Sequence, residues 1–303
     1  MWVYTHPDCL LHDPGPGHPE SPARLSAVTA ALHQALPQLR WLDAPPATRA
    51  QLARVHSREL VAMVLDTVTT TPLRLDPDTV LSPDSAQAAL RACGAGIAAV
   101  DAVLADRTRL AFCAVRPPGH HATGATAMGF CLFNSIAVAA AHALAEHGVQ
   151  RVAILDFDVH HGNGTQAIFE NDPRVLYLSS HQSPLYPDSG LESEIGVGNI
   201  VNAPLPSGSD GAMFRAAWQH RLLPALDDFA PQLLLVSAGF DGHRLDPLAD
   251  LRLEADDYHW LSGEIAASAG RHAGGRIVSM LEGGYSLSAL RECSVAHLLG
   301  LGA

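Results

Sequence analysis

The sequence has few cysteines, no leader-like start and no long apolar run. Its five cysteines are scattered and odd in number, which argues against a disulfide framework and favours reduced thiols. The first residues lack the basic-then-apolar order of a signal peptide. No uninterrupted apolar stretch reaches membrane-spanning length. We therefore expect a cytoplasmic protein that does not cross a membrane.

Basic residues are also scarce. Lys and Arg together number 19 against 31 Asp and Glu, so the formal net charge at pH 7 is -12 with histidine neutral. An acidic chain is a poor candidate for binding nucleic-acid phosphates, and we expect no nucleic-acid partner. It tolerates cationic partners better, including lysine-rich or polyamine-like substrates, although many proteins are acidic for solubility alone.

Neither a repeat, nor a low-complexity tract, nor a long linker divides the chain. With 303 residues and 48% hydrophobic content it can bury a large core, and α/β folds of this size often form one domain. The sequence therefore predicts a single domain over residues 1–303.

Short apolar runs alternate with alanine-rich helical segments. The predicted strands are residues 111–115, 152–155, 175–178, 233–236 and 276–280. The predicted helices are residues 85–104, 134–147, 211–229 and 255–269. Continuous apolar strands alternating with helices indicate a parallel sheet covered on both faces, so the predicted fold class is α/β.

Polar residues gather directly after the predicted strands. In open parallel sheets, ligands bind outside the carboxyl ends of the strands, so we expect these residues to converge on one site. The segments are RPPGHH at 116–121, DFD at 156–158, SSH at 179–181, SAGFD at 237–241 and EGGY at 282–285.

Asp158 and His160 have the spacing of paired metal ligands. Two residues apart just beyond a strand, their side chains lie on the same side of the chain. Carboxylate oxygen and imidazole nitrogen both bind zinc, and a third protein ligand would leave one position for water. Asp246, in the DGHRLDP segment at 241–247, is the best candidate for that third ligand. Two aspartates and one histidine would balance the charge of a divalent cation.

The pair His120 and His121 follows two prolines and a glycine, which fix the loop in place. Two adjacent imidazoles on a rigid loop suit general acid–base catalysis, provided that a partner fixes the tautomer of each. Asp156 and Asn163 are the natural partners from the neighbouring loop. Tyr285, after two glycines, is placed to donate its hydroxyl to a developing oxyanion.

These motifs together resemble the histone deacetylase superfamily, and most closely its class II-like bacterial amidohydrolases. The resemblance implies an arginase/deacetylase-type fold, with a central parallel sheet flanked by helices and the active site at the C-terminal ends of the strands. It also implies a zinc-dependent amidohydrolase that deacetylates N-ε-acetyl-lysine or a related acylamine. The matching segments span nearly the whole chain, in the expected order: GHPESPAR at 17–24, RPPGHHA at 116–122, GFCLFN at 129–134, DFDVHHGNGT at 156–165, SAGFD at 237–241, DPL at 246–248 and EGGY at 282–285.

The resemblance assigns roles to the site residues by motif position. Asp158, His160 and Asp246 take the positions of zinc ligands, with iron(II) as an alternative metal in the cell. His121 takes the position of the general base and acid. His120 with Asp156 forms the electrostatic pair, Asn163 orients His121 as in class II relatives, and Tyr285 takes the place of the transition-state tyrosine.

The resemblance also implies a substrate tunnel. Gly129, Phe130 and Tyr186 are expected to form walls that suit the apolar stem of an acyl-lysine. Leu248 stands near the mouth where a polyamine-selective relative has an acidic gatekeeper, which disfavours an acetylpolyamine role. Arg24 is expected to line an inner pocket beyond the metal.

Two monovalent cation sites are implied as well. A structural potassium is expected near the zinc, held by Asp156, Ser179 and Ser180 with the backbone of Asp158 and His160. An outer site would involve Phe169, Asp172 and Val175.

Several alternatives remain open from the sequence. A binuclear manganese ureohydrolase of the same fold is disfavoured, because Gly162 and His243 stand where further carboxylate ligands would be needed. The same site acting on an acetylpolyamine, a small acylamide or a longer acyl-lysine is an alternative for the substrate. A binding module without turnover is disfavoured because every catalytic position is filled. A homo-oligomer is neither required nor excluded.

Overall fold

A computed structural model describes all residues from 1 to 303. The chain contains ten strands, β1 to β10, in this order: Trp2–Thr5, Arg40–Asp43, Leu73–Arg74, Val80–Leu81, Leu110–Cys113, Val152–Asp156, Val175–Gln182, Ile200–Leu205, Leu233–Ala238 and Ile277–Leu281. It contains eleven α-helices, α1 to α11, in this order: Asp8–Leu11, Pro22–Ala35, Arg49–Leu52, Arg58–Asp66, Ser85–Leu104, Ser135–Glu146, Asn163–Phe169, Gly211–Ala217, Leu223–Phe229, Ala255–His272 and Leu287–Gly300.

Eight strands form one sheet in the order β2-β1-β5-β10-β9-β6-β7-β8, and every neighbouring pair is parallel. All residues of β6, β7, β9 and β10 are buried, so both faces of the sheet are covered there. This is the expected burial for parallel strands, which must be packed on both sides. The predicted α/β architecture with helices flanking a parallel sheet is confirmed.

The five predicted strands and four predicted helices all exist, with shifted ends. β7 extends to Gln182, four residues beyond its predicted end. The predicted helix over 211–229 is interrupted by a π-helical turn at Trp218–Leu222. Strands β1, β2 and β8, which the sequence did not reveal, complete the two sides of the sheet.

Helix α5 is the one helix in the chain that is long and apolar enough to cross a membrane. However, 67% of its most apolar 18-residue stretch is buried inside the fold. It packs against α6 and against β1, β5 and β10. Its composition is therefore accounted for by its place in the core.

A candidate active site at the carboxyl edge of the sheet

The polar segments predicted to converge do meet at one edge of the sheet. Asp156, the last residue of β6, lies beside Ser179 of β7 and Ser237 of β9 in the strand register. Because neighbouring parallel strands end at the same edge, the segments that follow them are adjacent in space although distant in sequence.

Asp158, His160 and Asp241 form a buried cluster of potential metal ligands. One ligand atom from each lies within 4.8 Å of the others. His160 Nδ1 is 3.2 Å from Asp158 Oδ1 and 3.2 Å from Asp241 Oδ2. Two carboxylates and one imidazole are a donor set that zinc accepts.

The third member of this cluster is Asp241, whereas the sequence predicted Asp246. The carboxylate of Asp246 is engaged by backbone N–H groups instead. Its Oδ2 accepts hydrogen bonds from Tyr285 N at 2.7 Å and Ser286 N at 3.2 Å, and its Oδ1 accepts one from Leu248 N at 3.1 Å. Asp246 therefore anchors the loop that carries Tyr285, and the choice of Asp246 as a ligand is corrected to Asp241.

The electrostatics of the cluster suit a divalent cation. Burial and the nearby charge of Asp158 raise the pKa of Asp241 to about 7. For Asp158 itself burial acts in the same direction, but His120 and His160 outweigh it and hold its pKa below the usual range. Two carboxylates this close and this buried carry more negative charge than the protein groups around them neutralise, which a bound cation would correct.

The two histidines of the 120–121 pair have the predicted partners. His120 Nδ1 lies 3.0 Å from Asp156 Oδ2, and His121 Nδ1 lies 2.8 Å from Asn163 Oδ1. An amide oxygen only accepts, so His121 donates from Nδ1 and keeps the lone pair on Nε2. The two rings are 4.0 Å apart between centroids.

The two imidazoles differ in protonation because their surroundings differ. Burial opposes the charge on His120, but Asp156 and Asp158 outweigh it and raise its pKa to about 10. Burial and the charges of His120 and His160 lower the pKa of His121 well below its ordinary value. The pair therefore combines a cationic imidazole with a neutral one, which is how a site separates an electrostatic role from a base role.

Two buried side chains that the sequence analysis did not single out support the pair. Glu282 accepts hydrogen bonds at Oε2 from the backbone N–H groups of Gly119, at 2.6 Å, and His120, at 3.2 Å. Tyr177 donates its hydroxyl to Asp156 Oδ2 at 3.0 Å. Glu282 begins the EGGY segment directly after β10, and its position at a strand end was the available signal.

A cavity of about 230 Å³ opens onto this site. The predicted wall residues all contribute to it, together with Asp78 and Leu185, which the sequence did not indicate. Burial raises the pKa of the Tyr285 hydroxyl well above 10, so it stays protonated as a donor. The cavity is lined by Asp78, His121, Gly129, Phe130, His160, Leu185, Tyr186, Leu248 and Tyr285.

Gly129 lets the tunnel wall approach the catalytic pair. Its φ is +56°, in the left-handed region, and a Cβ there would lie 2.5 Å from His121 Cδ2. Any side chain at this position would displace the ring of His121. The next residue, Phe130, also has a positive φ, of 67°.

Arg24 does not line the cavity. Its guanidinium is buried and donates to the backbone oxygens of Gly284 and Glu282, each at 2.5 Å, and to Glu20 Oε1 at 3.0 Å. It also lies 4.9 Å from the centroid of the Tyr285 ring. Arg24 therefore lies behind the loop that carries Tyr285, and its place in an inner pocket beyond the metal stays a prediction.

The residues expected to hold the inner potassium lie side by side, Asp156 at the end of β6 and Ser179 and Ser180 in the second half of β7. Ser179 Oγ is 2.9 Å from His181 Nδ1, and Ser180 Oγ accepts a hydrogen bond from Trp218 Nε1 at 3.0 Å. Asp156 Oδ1 accepts from Asp158 N at 3.2 Å. These contacts fix the positions of the three side chains.

The space for a second catalytic metal is filled by other groups. A Cβ on Gly162 would lie 2.3 Å from Asp156 Oδ2 and 2.5 Å from the Tyr177 hydroxyl, so no carboxylate fits there. His243 is buried, and its Nε2 lies 3.3 Å from Glu254 Oε2. Both observations favour a site for one metal.

A second group of potential ligands, Asp101, His142 and His147, lies away from this site. Arg54 Nη1 donates to His142 Nδ1 at 2.8 Å, which places the ring proton on Nε2. That proton and the one on His147 Nε2 are both directed at Asp101 Oδ1, each at 2.7 Å. The group is complete as a hydrogen-bond network.

Comparison with known proteins shows which family the chain belongs to. The sequence matches the histone deacetylase domain over residues 18–301. The histone deacetylase-like amidohydrolase of Pseudomonas aeruginosa is 39% identical over 312 residues, covering 95% of this chain and 82% of that protein. The polyamine deacetylase HDAC10 of Homo sapiens is 38% identical over 319 residues, covering 98% of this chain and 46% of that protein. The crystal structure of the HDA15 HD domain superposes with a TM-score of 0.94 at 36% identity, covering 99% of this chain and 88% of that one.

The parallel sheet, with its polar cluster at the carboxyl edge, defines an α/β protein of the arginase/deacetylase type. The chain belongs to the histone deacetylase family, and this membership supports hydrolase activity.

Proposed function

We propose that this chain is a zinc-dependent deacetylase that hydrolyses the amide of N-ε-acetyl-lysine or a closely related acylamine. The observation that carries the proposal is the cavity, whose apolar walls lead to His121, His160 and Tyr285. An unbranched methylene stem suits such walls, and its amide would then lie at the polar base.

Asp158, His160 and Asp241 would hold the metal, with iron(II) as the alternative to zinc. When bound, the metal supplies a Lewis acid that polarises the amide carbonyl and makes water more acidic. The excess negative charge of the two buried aspartates supports this assignment.

The remaining residues supply proton transfer and charge stabilisation. His121 accepts a proton from the attacking water at Nε2 and returns it to the leaving amine, because Asn163 occupies its Nδ1–H. His120, kept cationic by Asp156, stabilises negative charge that develops beside it. Tyr285 donates its hydroxyl to the oxygen of the former carbonyl.

We also propose an inner potassium ion that stiffens this edge of the sheet. Asp156, Ser179 and Ser180 would bind it together with the backbone oxygens of Asp158 and His160. Its support is the strand register that places Asp156 beside Ser179.

Acetylpolyamines are the second candidate substrates. Asp78 contributes a carboxylate to the cavity, which would attract a second ammonium group on the substrate. Leu248 in the same cavity offers no such charge. We therefore rank acetyl-lysine first, with acetylpolyamines, small acylamides and longer acyl-lysines as alternatives that share the chemistry.

The test uses pure protein of measured zinc content and a panel of acetyl-lysine peptides, acetylpolyamines and longer acyl-lysines. We expect turnover of acetyl-lysine, and we expect His121→Ala to abolish it while zinc remains bound. His220→Ala, at an exposed histidine outside the site, is the control and keeps the wild-type rate. Near-normal turnover by His121→Ala would sink the assignment, and no turnover of any substrate by zinc-loaded wild type would favour a binding module.

A further inference from the structure

The side chain of Asn199 lies among three main-chain carbonyl groups. Its Nδ2 is 2.7 Å from Phe169 O, 3.0 Å from Asp172 O and 2.8 Å from Val175 O. Asn199 is only 4% exposed, so water does not compete for these oxygens. These are the three positions that the family resemblance implied for the outer monovalent cation.

The backbone turns the three carbonyls toward one point. Phe169 ends α7 and Val175 begins β7, with a tight turn between them. Asp172 N donates to Phe169 O at 2.9 Å, and Val175 N donates to Asp172 O at 3.1 Å. Each of these two oxygens has a second lone pair, which is directed at Asn199.

The three carbonyl oxygens, here called the cradle, are spaced as the ligands of a large cation would be. Oxygens 2.7 to 3.0 Å from a common centre are farther away than the roughly 2.3–2.6 Å of calcium–oxygen bonds. Without Asn199 the cradle would therefore suit a monovalent ion better than calcium or magnesium.

The orientation of the amide is fixed by its other end. Asn199 Oδ1 accepts a hydrogen bond from Val197 N at 3.2 Å. Turning the amide over would place Oδ1 against three carbonyl oxygens and Nδ2 against a donor. The two N–H groups are thus the ones that face the cradle.

We infer that Asn199 takes the place of the outer monovalent cation, so that this chain binds no ion at Phe169, Asp172 and Val175. The residues do not fit the ion, because the amide nitrogen already stands at the centre of the oxygens. A donor attached to the chain is present at every salt concentration. The end of α7 is therefore held without an ion, while the start of the same helix supplies Asn163 to His121.

The inference is tested by removing the amide and offering an ion in its place. Melting temperatures of wild type, Asn199→Ala and the exposed control Asn171→Ala are measured in KCl, NH₄Cl and choline chloride at equal ionic strength. We expect Asn199→Ala to melt about 5–10 °C lower in choline chloride, because three buried carbonyl oxygens each lose the hydrogen bond from Asn199. Wild type and the control should gain only what the proposed inner potassium supplies, and we expect potassium or ammonium to raise the melting temperature of Asn199→Ala by clearly more than that, which restores most of the loss.

A second measurement does not depend on the variant. Wild-type crystals grown in RbCl should show no anomalous scattering peak among the three carbonyls, and Asn199→Ala crystals should show one. A rubidium peak at this position in wild type would overturn the inference. So would an Asn199→Ala protein that melts like wild type in choline chloride, or one that is destabilised but gains nothing specific from potassium or ammonium.

Discussion

The carboxylates of Asp241 and Asp246 contact different partners. Asp241 faces His160 and Asp158, whereas both oxygens of Asp246 accept backbone hydrogen bonds around Tyr285. Two aspartates five positions apart therefore have separable roles. Asp241 would bind the metal, and Asp246 holds the loop that carries Tyr285, the proposed oxyanion donor.

Asparagine substitutions separate these roles. We expect Asp241→Asn to weaken zinc affinity at least tenfold, since loss of even an indirect partner of a metal ligand costs about 10–100-fold. We expect Asp246→Asn to retain zinc but to lower kcat/KM, because an amide NH₂ then opposes a backbone N–H and disturbs Tyr285. Zinc content and chelator competition measure the first effect, and initial rates measure the second.

The reverse pattern, with zinc lost from Asp246→Asn and kept in Asp241→Asn, would show that Asp246 and not Asp241 is the zinc ligand. Asp250→Asn, on the neighbouring loop, is a matched control that should leave both measurements unchanged.

The sequence contained the information for this choice. Asp158 lies two residues beyond the end of β6, and Asp241 lies three beyond the end of β9. A similar distance from the strand end favours a similar depth in the site, whereas Asp246 lies eight residues beyond the end of β9. The spacing of residues in the sequence cannot show which carboxylates accept hydrogen bonds from backbone N–H groups. That depends on how loops from distant segments pack together.

At the scale of elements, the hairpin β3–β4 supports the wall of the cavity. Thr79, the residue directly before β4, is buried. Its Oγ1 accepts a hydrogen bond from Phe130 N at 3.1 Å. His18 Nε2 lies 3.0 Å from Asp78 O, and its ring packs edge-on against Phe130. A positive φ at Phe130 is costly, so such contacts are needed to hold the ring in the wall.

Thr79 is therefore a positioning residue for the substrate. We expect Thr79→Val to raise KM for an acetyl-lysine peptide about fivefold to tenfold with little change in kcat, since one hydrogen bond of roughly 1 kcal/mol is lost at the wall. Steady-state kinetics on the zinc-loaded enzyme provide both constants.

Thr79→Ser keeps the hydroxyl and should recover the wild-type KM. If serine behaves like valine, the hydroxyl is not what matters and the role assigned to this hydrogen bond is wrong.

The central strands could be predicted from the sequence, and the outer ones could not, for a physical reason. Central strands are buried on both faces and therefore consist of continuous apolar runs. β2 and β8 lie at the two edges of the sheet, where β2 is largely exposed and β8 contains Asn202 and Pro204. Proline is tolerated at an edge because one side of the strand needs no donor. Edge strands thus lack the pattern on which the prediction depends.

For the whole molecule, metal removal should change how stability depends on pH. The pKa of Asp241 in the folded, metal-free chain is about 7, above its ordinary value near 3.8. The folded state then binds more protons than the unfolded state between these values, so stability falls as pH rises from about 4 to 7. We expect chelated protein to melt at a lower temperature than zinc-loaded protein, with a gap that widens over this range.

Thermal melts at pH 5, 6 and 7, with and without a chelator, measure this gap. Asp241→Asn removes one of the groups that titrate in the metal-free cluster and should make the gap widen less steeply with pH. A gap that narrows toward pH 7 in wild type would contradict the charge imbalance assigned to the cluster.

The whole chain also contains no lysine, since all 19 residues in its count of Lys and Arg are arginines. A deacetylase acting on acyl-lysine would therefore never meet its own side chains as substrates. Acylation of the side-chain amines of lysine cannot regulate this molecule.

Strand β10 lies between β5 and β9, in the middle of the sheet, although it is the last strand to be synthesised. Two halves of the sheet are therefore made first and cannot meet until residues 277–281 have left the ribosome. Until then the flanking strands β5 and β9 each expose an unpaired inner edge, which is the kind of surface that chaperones protect. The architecture that gathers the site at one edge thus delays its assembly until β10 has been made.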